Sequence, residues 1–283
     1  MIQTQILKKI VQVPKDIIIL GETDTGKSYL AFEILKVLKE RNLNFGYLNS
    51  DVGQSQIGVP SVLSSVYFKK KIFKKINPEL KIFFGDITPS SNIEWFLLCF
   101  LKLYKESKKF MQNLIIDTTG FIKQPAAHLL KLLKVNILED CYIISIGEPK
   151  KFEFLNGVKK EKIFLKPHFR VKKKSAKKRE IYRQFRFKNY FKNFKKISLR
   201  FKTKKKIIEN QLIGFQNSDG FLEYLGVVDK IKKGHLEILV PHYFDFKRIN
   251  SIILGNLILD VKKGTHQRIS SHFMPTKLLC MIK

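Results

Sequence analysis

Apolar positions along the chain fall into two textures. In the first half they form short, Ile- and Leu-rich runs at residues 16–20, 114–117 and 141–146, and residues 44–51 read as a further strand ending in an acid. Runs of that length and make-up suit strands buried on both faces. Between them the apolar positions recur at helical spacing. Leu30, Ile34, Val37 and Leu38 predict a helix over residues 29–41. Asn92 caps a second over 92–105, and Pro125 opens a third over 125–135. Residues 62–68 and 72–73 read as a short strand pair, and residues 81–84 as a further strand closed by a Gly85–Pro89 turn. The alternation of strand and helix predicts a parallel sheet flanked by helices. From residue 195 the texture changes to short alternating runs at 197–201, 211–215, 223–229, 235–240 and 251–260. Turn signals such as Asn217-Ser218-Asp219-Gly220 and Lys232-Lys233-Gly234 separate them, which predicts an all-β region.

One stretch gives the first half a chemistry. Gly21-Glu22-Thr23-Asp24-Thr25-Gly26-Lys27-Ser28 reads G-x-x-x-x-G-K-S, between a predicted strand and a predicted helix. That context lets backbone N–H groups converge on phosphate oxygens at a helix N-terminus. Lys27 is then expected on the β- and γ-phosphates and Ser28 on Mg²⁺, so the chain is expected to bind a nucleoside triphosphate. The fold expected is an α/β P-loop NTPase sheet with a lid helix and a small C-terminal β domain. Residues 1–194 would form the P-loop domain, including a basic lid segment at about 150–194, and residues 195–283 the β domain.

Charge adds a partner. The formal net charge is +30, and residues 150–206 hold 19 Lys and 5 Arg against Glu153, Glu161 and Glu180, a net +21. A solvated face would intersperse acids, so a polyanion, most simply nucleic acid, is expected there. A helix is predicted inside this segment at 177–191. No apolar run approaches the roughly eighteen residues of a membrane span, and the N-terminus shows no charged-then-apolar signal pattern, so a cytoplasmic protein is expected. Cys99, Cys141 and Cys280 lie far apart in apolar stretches and read as buried free thiols. No Cys/His cluster has metal-site spacing.

Acids at strand ends come next. Asp51 and Asp117 each close an apolar run, where one can hold the metal and another accept a proton from an attacking hydroxyl. Asp117-Thr118-Thr119-Gly120 also fits the D-x-x-G of GTPases, but no N-K-x-D for guanine occurs. Arg179 and Arg183 fall four apart on one helix face, and Arg186 three further on. Guanidinium forks suit a transferring phosphoryl group, and the same face suits a nucleic-acid backbone, so spacing leaves both open.

These blocks resemble the P-loop polynucleotide 5′-hydroxyl kinases, which include the eukaryotic RNA-processing kinases and archaeal counterparts. The likeness lies in Gly21 to Ser28 with its Asp24, in Asp51-Val52-Gly53-Gln54-Ser55-Gln56-Ile57-Gly58 followed by Pro60, in Asp117-Thr118-Thr119-Gly120, and in Arg179 and Arg183 followed by Asn189-Tyr190-Phe191. The resemblance implies transfer of the ATP γ-phosphate to a 5′-hydroxyl end of RNA or DNA. It implies Asp51 as base, Gln54 and Thr119 at the substrate or phosphate site, and Arg179 and Arg183 as the lid. Arg186 joins them as a substrate contact, and Asp117 joins Ser28 at the metal. Three features depart from the family pattern. Asn49 stands where many members have a second acid, and Phe121 where some have Trp. Only 15 residues precede Asp16, where eukaryotic members carry an N-terminal β domain that helps hold adenine. The competing expectations are a non-catalytic ATP- and RNA-binding adaptor and a D-x-x-G nucleotide switch.

Overall fold

The computed structural model describes residues 9–41, 43–68, 79–200 and 206–279. The expected strand at 72–73 and Cys280 lie outside them. Cys99 and Cys141 are buried free thiols.

The first sheet has seven strands: β1 (Asp16–Gly21), β2 (Phe45–Ser50), β3 (Val62–Phe68), β4 (Leu80–Phe83), β5 (Leu114–Thr118), β6 (Cys141–Ile146) and β7 (Glu161–Leu165). Their order is β4-β3-β2-β5-β1-β6-β7. β1 runs parallel to both its neighbours, β5 and β6, which is why its apolar run has no polar alternation: all six residues are buried. Its side chains still divide by parity. Ile17 and Ile19 pack with Leu30, Ile34 and Leu38 of helix α1 (Lys27–Glu40). Ile18 and Leu20 pack on the other face with Phe96 and Phe100 of α2 (Ile93–Phe110) and Leu130 of α3 (Pro125–Ile137). The Asn92 side chain caps α2 by accepting from Trp95 N at 2.7 Å, and the helix runs five residues past the expected end. β3 pairs antiparallel with β2 on one side and with β4 on the other. β7, which no apolar run announced, extends the parallel edge beside β6.

Helix α4 (Ala176–Tyr190), the segment expected to form a lid, follows, capped by Ser175, and then a second, antiparallel sheet. Its strands are β8 (Lys195–Arg200), β9 (Gln211–Gln216), β10 (Leu222–Lys232), β11 (His235–Val240), β12 (Ser251–Leu259), β13 (His266–Arg268) and β14 (Thr276–Leu279). They run in the order β13-β12-β9-β10-β11-β8, with β14 on β12. The two sheets share a core. Val59, Val62 and Phe83 from the first half pack with Phe187 and Phe191 of the lid segment and with Leu212, Leu225 and Leu257 of the second sheet. The Phe83 ring presses so close to β9 and β12 that a Cβ on Gly214 or Gly255 would stand 2.6 or 2.8 Å from it. Buried Asp86 ties the same seam through Arg268 Nε at 3.0 Å. No helix among the described residues is long and apolar enough to cross a membrane.

Candidate nucleotide and phosphoryl-transfer site

Parallel strands bring their carboxyl ends to one edge. In register Ile19 of β1 lies beside Asp117 of β5, Asn49 of β2 beside Asp117, and Ser50 beside Thr118. The glycine loop, the 51–60 loop and the 117–121 loop therefore meet at this edge, where ligands of open α/β sheets bind. They line a cleft of about 630 Å³ together with the start of α4.

The phosphate loop is held by its own backbone. Gly26 precedes α1 in a left-handed conformation, φ 93°, and makes no side-chain cap. The N–H groups of the first helical turn thus keep their hydrogen-bonding capacity for an anion. Lys27 is buried, and its Nζ donates to Glu22 O at 2.6 Å, inside the curve of the loop. Burial lowers its pKa, while Asp117, Asp51 and Asp24 pull the other way. Phosphates would reverse the burial penalty by supplying anionic partners. Gly120 matters for close approach: a Cβ there would collide with Thr23, so only glycine lets the two loops abut.

Asp117 is fully buried at the centre. Tyr47 Oη donates to its Oδ2 at 2.9 Å, and the Ser28 hydroxyl also bonds the carboxylate. Burial pushes its pKa up against the pull of Lys27 and Ser28. Its Oδ1 is buried without any protein partner. An orphaned carboxylate oxygen beside the Ser28 hydroxyl fits a hard cation carried in with phosphates and water. The described residues include no group of three or more His, Cys, Asp or Glu able to hold a metal by itself. Mg²⁺, which binds through one or two protein oxygens plus phosphates, needs no such group.

Asp51 sits differently. It is half-buried, and its Oδ1 accepts from Gly53 N and Gln54 N, both at 3.0 Å. The described residues place no hydrogen-bond donor on Oδ2. Thr119 is buried at the cleft, and Gln54 Nε2 reaches Arg179 O at 3.2 Å, joining the 51–60 loop to the lid. Asn49 donates to Ser55 Oγ at 3.0 Å, so this non-acidic residue shapes the 51–60 loop. Phe121 lines the cleft.

The three lid arginines separate. Arg179 reaches the phosphate loop: its Nη1 donates to Asp24 Oδ2 at 3.0 Å, and Lys174 N donates to the same oxygen at 2.9 Å. Arg183 turns to the second sheet and donates through Nε to His266 Nε2 at 3.0 Å. Arg186 donates to Gly58 O, bracing the far end of the 51–60 loop. One helix face thus serves three addresses.

Two side chains at this edge had no signal in the sequence. Lys131 and Lys134 of α3 are fully buried under the site. Lys131 Nζ donates to Thr119 O at 2.6 Å, and Lys134 Nζ to Ser50 Oγ at 2.9 Å. Tyr47, the partner of Asp117, was also unmarked. An aromatic in a strand normally reads as core, and only the fold shows that its hydroxyl reaches Asp117.

Comparison with known proteins agrees with this layout. Residues 21–193 match the family described as the mRNA cleavage and polyadenylation factor CLP1 P-loop. The chain is 27% identical over 271 residues to a polyribonucleotide 5′-hydroxyl-kinase of Pyrococcus furiosus, covering 86% of this chain and 75% of the relative. It is 30% identical over 197 residues to a polyribonucleotide 5′-hydroxyl-kinase of Methanocaldococcus jannaschii, covering 65% of this chain and 52% of that one. Among solved structures, wild-type Clp1p in complex with Pcf11p superposes with a TM-score of 0.70 at 14% identity, over 89% of this chain and 76% of that one. That likeness establishes the fold. The phosphate loop, the 51–60 block, the D-x-x-G loop and the lid helix all lie within the matched residues, and the chain belongs to the CLP1 P-loop family.

Proposed function

We propose that this chain transfers the γ-phosphate of ATP to the 5′-hydroxyl end of a polynucleotide. The observation that carries the reading is the pair of acids on opposite terms with the same cleft. Asp117 is buried beside Lys27 and Ser28, and Asp51 keeps one oxygen without a donor at the cleft wall. A switch needs the first acid, and a kinase needs both.

The loop of residues 21–28 binds the triphosphate, with Lys27 leaving Glu22 O for the β- and γ-oxygens. Asp51, oriented by two backbone N–H groups, accepts the proton of the 5′-hydroxyl. The 5′-oxygen forms its bond to the γ-phosphorus as the bond to the bridging oxygen breaks, and ADP leaves with the electron pair. Ser28 and Asp117 would hold Mg²⁺, which when bound neutralises charge on the phosphate oxygens. Arg179, held at the loop by Asp24, braces that charge, and Gln54 and Thr119 orient the acceptor end. The lysines of residues 150–206 attract the polynucleotide. With this reading goes a division of labour along the chain: residues 1–194 carry the chemistry, and residues 195–283 support the lid through the shared core.

The test is [γ-³²P]ATP with a 5′-hydroxyl oligonucleotide, RNA and DNA in parallel. Label on the oligonucleotide is expected. Free phosphate alone would make the protein a switch, and neither product would make it an adaptor.

A further inference from the structure

Burying an ammonium without a counter-ion is costly, and α3 does it twice in one turn. Lys131 and Lys134 have no exposed surface, and neither meets a carboxylate. Lys131 Nζ ends on Thr119, at 2.6 Å from its carbonyl and 3.3 Å from its hydroxyl. Lys134 Nζ lies over the rings of Phe96 and Phe100, at 4.5 and 4.6 Å, and ends on Ser50 Oγ. Ser50 Oγ in turn donates to Asp117 O at 2.8 Å. Each cation therefore ends on the backbone segment that carries a site residue. A methionine of similar length would fill either position without the desolvation penalty, so packing gives no reason for lysine.

We infer that Lys131 and Lys134 are positioning residues of the phosphoryl-transfer site. Resting on the kinase reading above, they fix the ends of β2 and β5 and place positive potential beneath Asp51, Asp117 and the transferring phosphate. The charged groups that face them are Lys27, Asp51 and Asp117. Against these, burial wins in the nucleotide-free protein: Lys134 is pulled down to about 7, and Lys131, next to Lys134 and Lys27, is held well below the ordinary lysine value. Arrival of a triphosphate above them favours their charged forms, so ATP binding draws protons onto the pair. The charge is then fuller when the transition state needs it than when the cleft is empty.

Three measurements on Lys131→Met and Lys134→Met test this. In turnover at saturating ATP and oligonucleotide, kcat is expected to fall about ten- to a hundredfold in each, with KM for ATP changing less. In thermal unfolding, Lys134→Met is expected to melt above the wild type near neutral pH, the gap closing as pH rises. The sign follows from a folded pKa near 7 against about 10.4 unfolded: between those values the unfolded chain binds the extra proton, so wild-type stability climbs with pH. In calorimetry of ATP binding at pH 8, in two buffers of different ionisation enthalpy, the wild type is expected to take up protons and Lys134→Met to take up fewer. Wild-type kcat in both variants would overturn the inference, as would proton uptake that the substitutions leave unchanged. A wild type that binds ATP with this uptake and labels no oligonucleotide would sink the kinase reading, and with it the transfer role, while the coupling of the lysines to nucleotide binding would stand. If a methionine variant fails to fold, the glutamine variants, which keep a donor, take its place under the same criteria.

Discussion

The floor of the cleft and its lid are both rich in cations, and they hold them in opposite ways. On the floor, Lys27, Lys131 and Lys134 are buried, and each ammonium is aimed at a named oxygen. On the lid, Phe187 is the only buried residue of α4, and the lysines face water. Four polar ties bring that helix to the floor: Arg179 to Asp24, Gln54 Nε2 to Arg179 O, Tyr182 Oη to Ser55 O at 2.8 Å, and Arg186 to Gly58 O. A buried charge acts through geometry and low dielectric, so displacing it by an ångström should abolish its effect. An exposed charge acts through the summed field and is screened by salt. The same residue type thus has two functions, set by burial.

The largest effects should come from the floor. Lys27→Ala and Ser28→Ala remove a phosphate clamp and a metal-side hydroxyl. Each should lower turnover about a hundredfold or more, with the fold retained. Near wild-type turnover in both would break the assignment of this cleft. Asp51→Asn comes next. The amide keeps the shape and still accepts from Gly53 N and Gln54 N, but it cannot take a proton, so ATP binding should survive while transfer collapses. Asp117→Asn should weaken metal-dependent nucleotide binding first. If Asp117→Asn binds Mg·ATP normally and only its transfer is lost, while Asp51→Asn stays active, the two roles are exchanged.

Much of the floor was legible because its strands are buried on both faces. The runs at 16–20 and 141–146 could be little else, and the G-x-x-x-x-G-K-S loop between strand and helix pointed to the cleft edge proposed for phosphate. β7 was not legible: Glu161-Lys162-Ile163-Phe164-Leu165 opens on two charges and leaves only a three-residue apolar run, as an edge strand can. Lys131 and Lys134 were invisible for a different reason. Spaced three apart on a helix, they imitate a solvated face, and only the packing of α3 against α2 and the ends of β2 and β5 turns that face inward. The partners of the lid arginines are as hard to foresee. Asp24 and His266 lie 155 and 83 residues away from Arg179 and Arg183, and four-residue spacing says nothing about which way each fork turns.

The lid should show graded effects that follow those directions. Arg179→Lys keeps the charge but loses the planar fork at the phosphate loop, so kcat should drop about tenfold or more with substrate affinity held. Arg183 faces His266 and is partly desolvated, which lowers its pKa. Arg183→Lys should cost less, unless the lid rotates on closing to bring that residue over the phosphate. Equal losses in the two variants would show such a rotation, and an intact kcat in both would reduce α4 to a binding surface.

The smallest effect on turnover should come from the outermost cations. Lys173 and Lys174 line the cleft and are poor probes of long-range attraction. Lys177, Lys178 and Lys188 are exposed and lie outside it. Replacing all three with Gln should leave kcat at saturating substrate near the wild-type value and raise the apparent KM for the oligonucleotide at low salt. Binding of a single strand weakens with salt as counterions condensed on its phosphates are retained, with a log–log slope of about 0.7 per neutralised phosphate. If each lysine meets one phosphate, the triple variant should flatten the slope by about 2. The affinities of variant and wild type should then converge as salt rises, because the lost attraction is the part that salt already screens. A variant that lost kcat while keeping the wild-type salt slope would place these lysines in the chemistry, and the contrast between aimed and screened charge would fail at the lid.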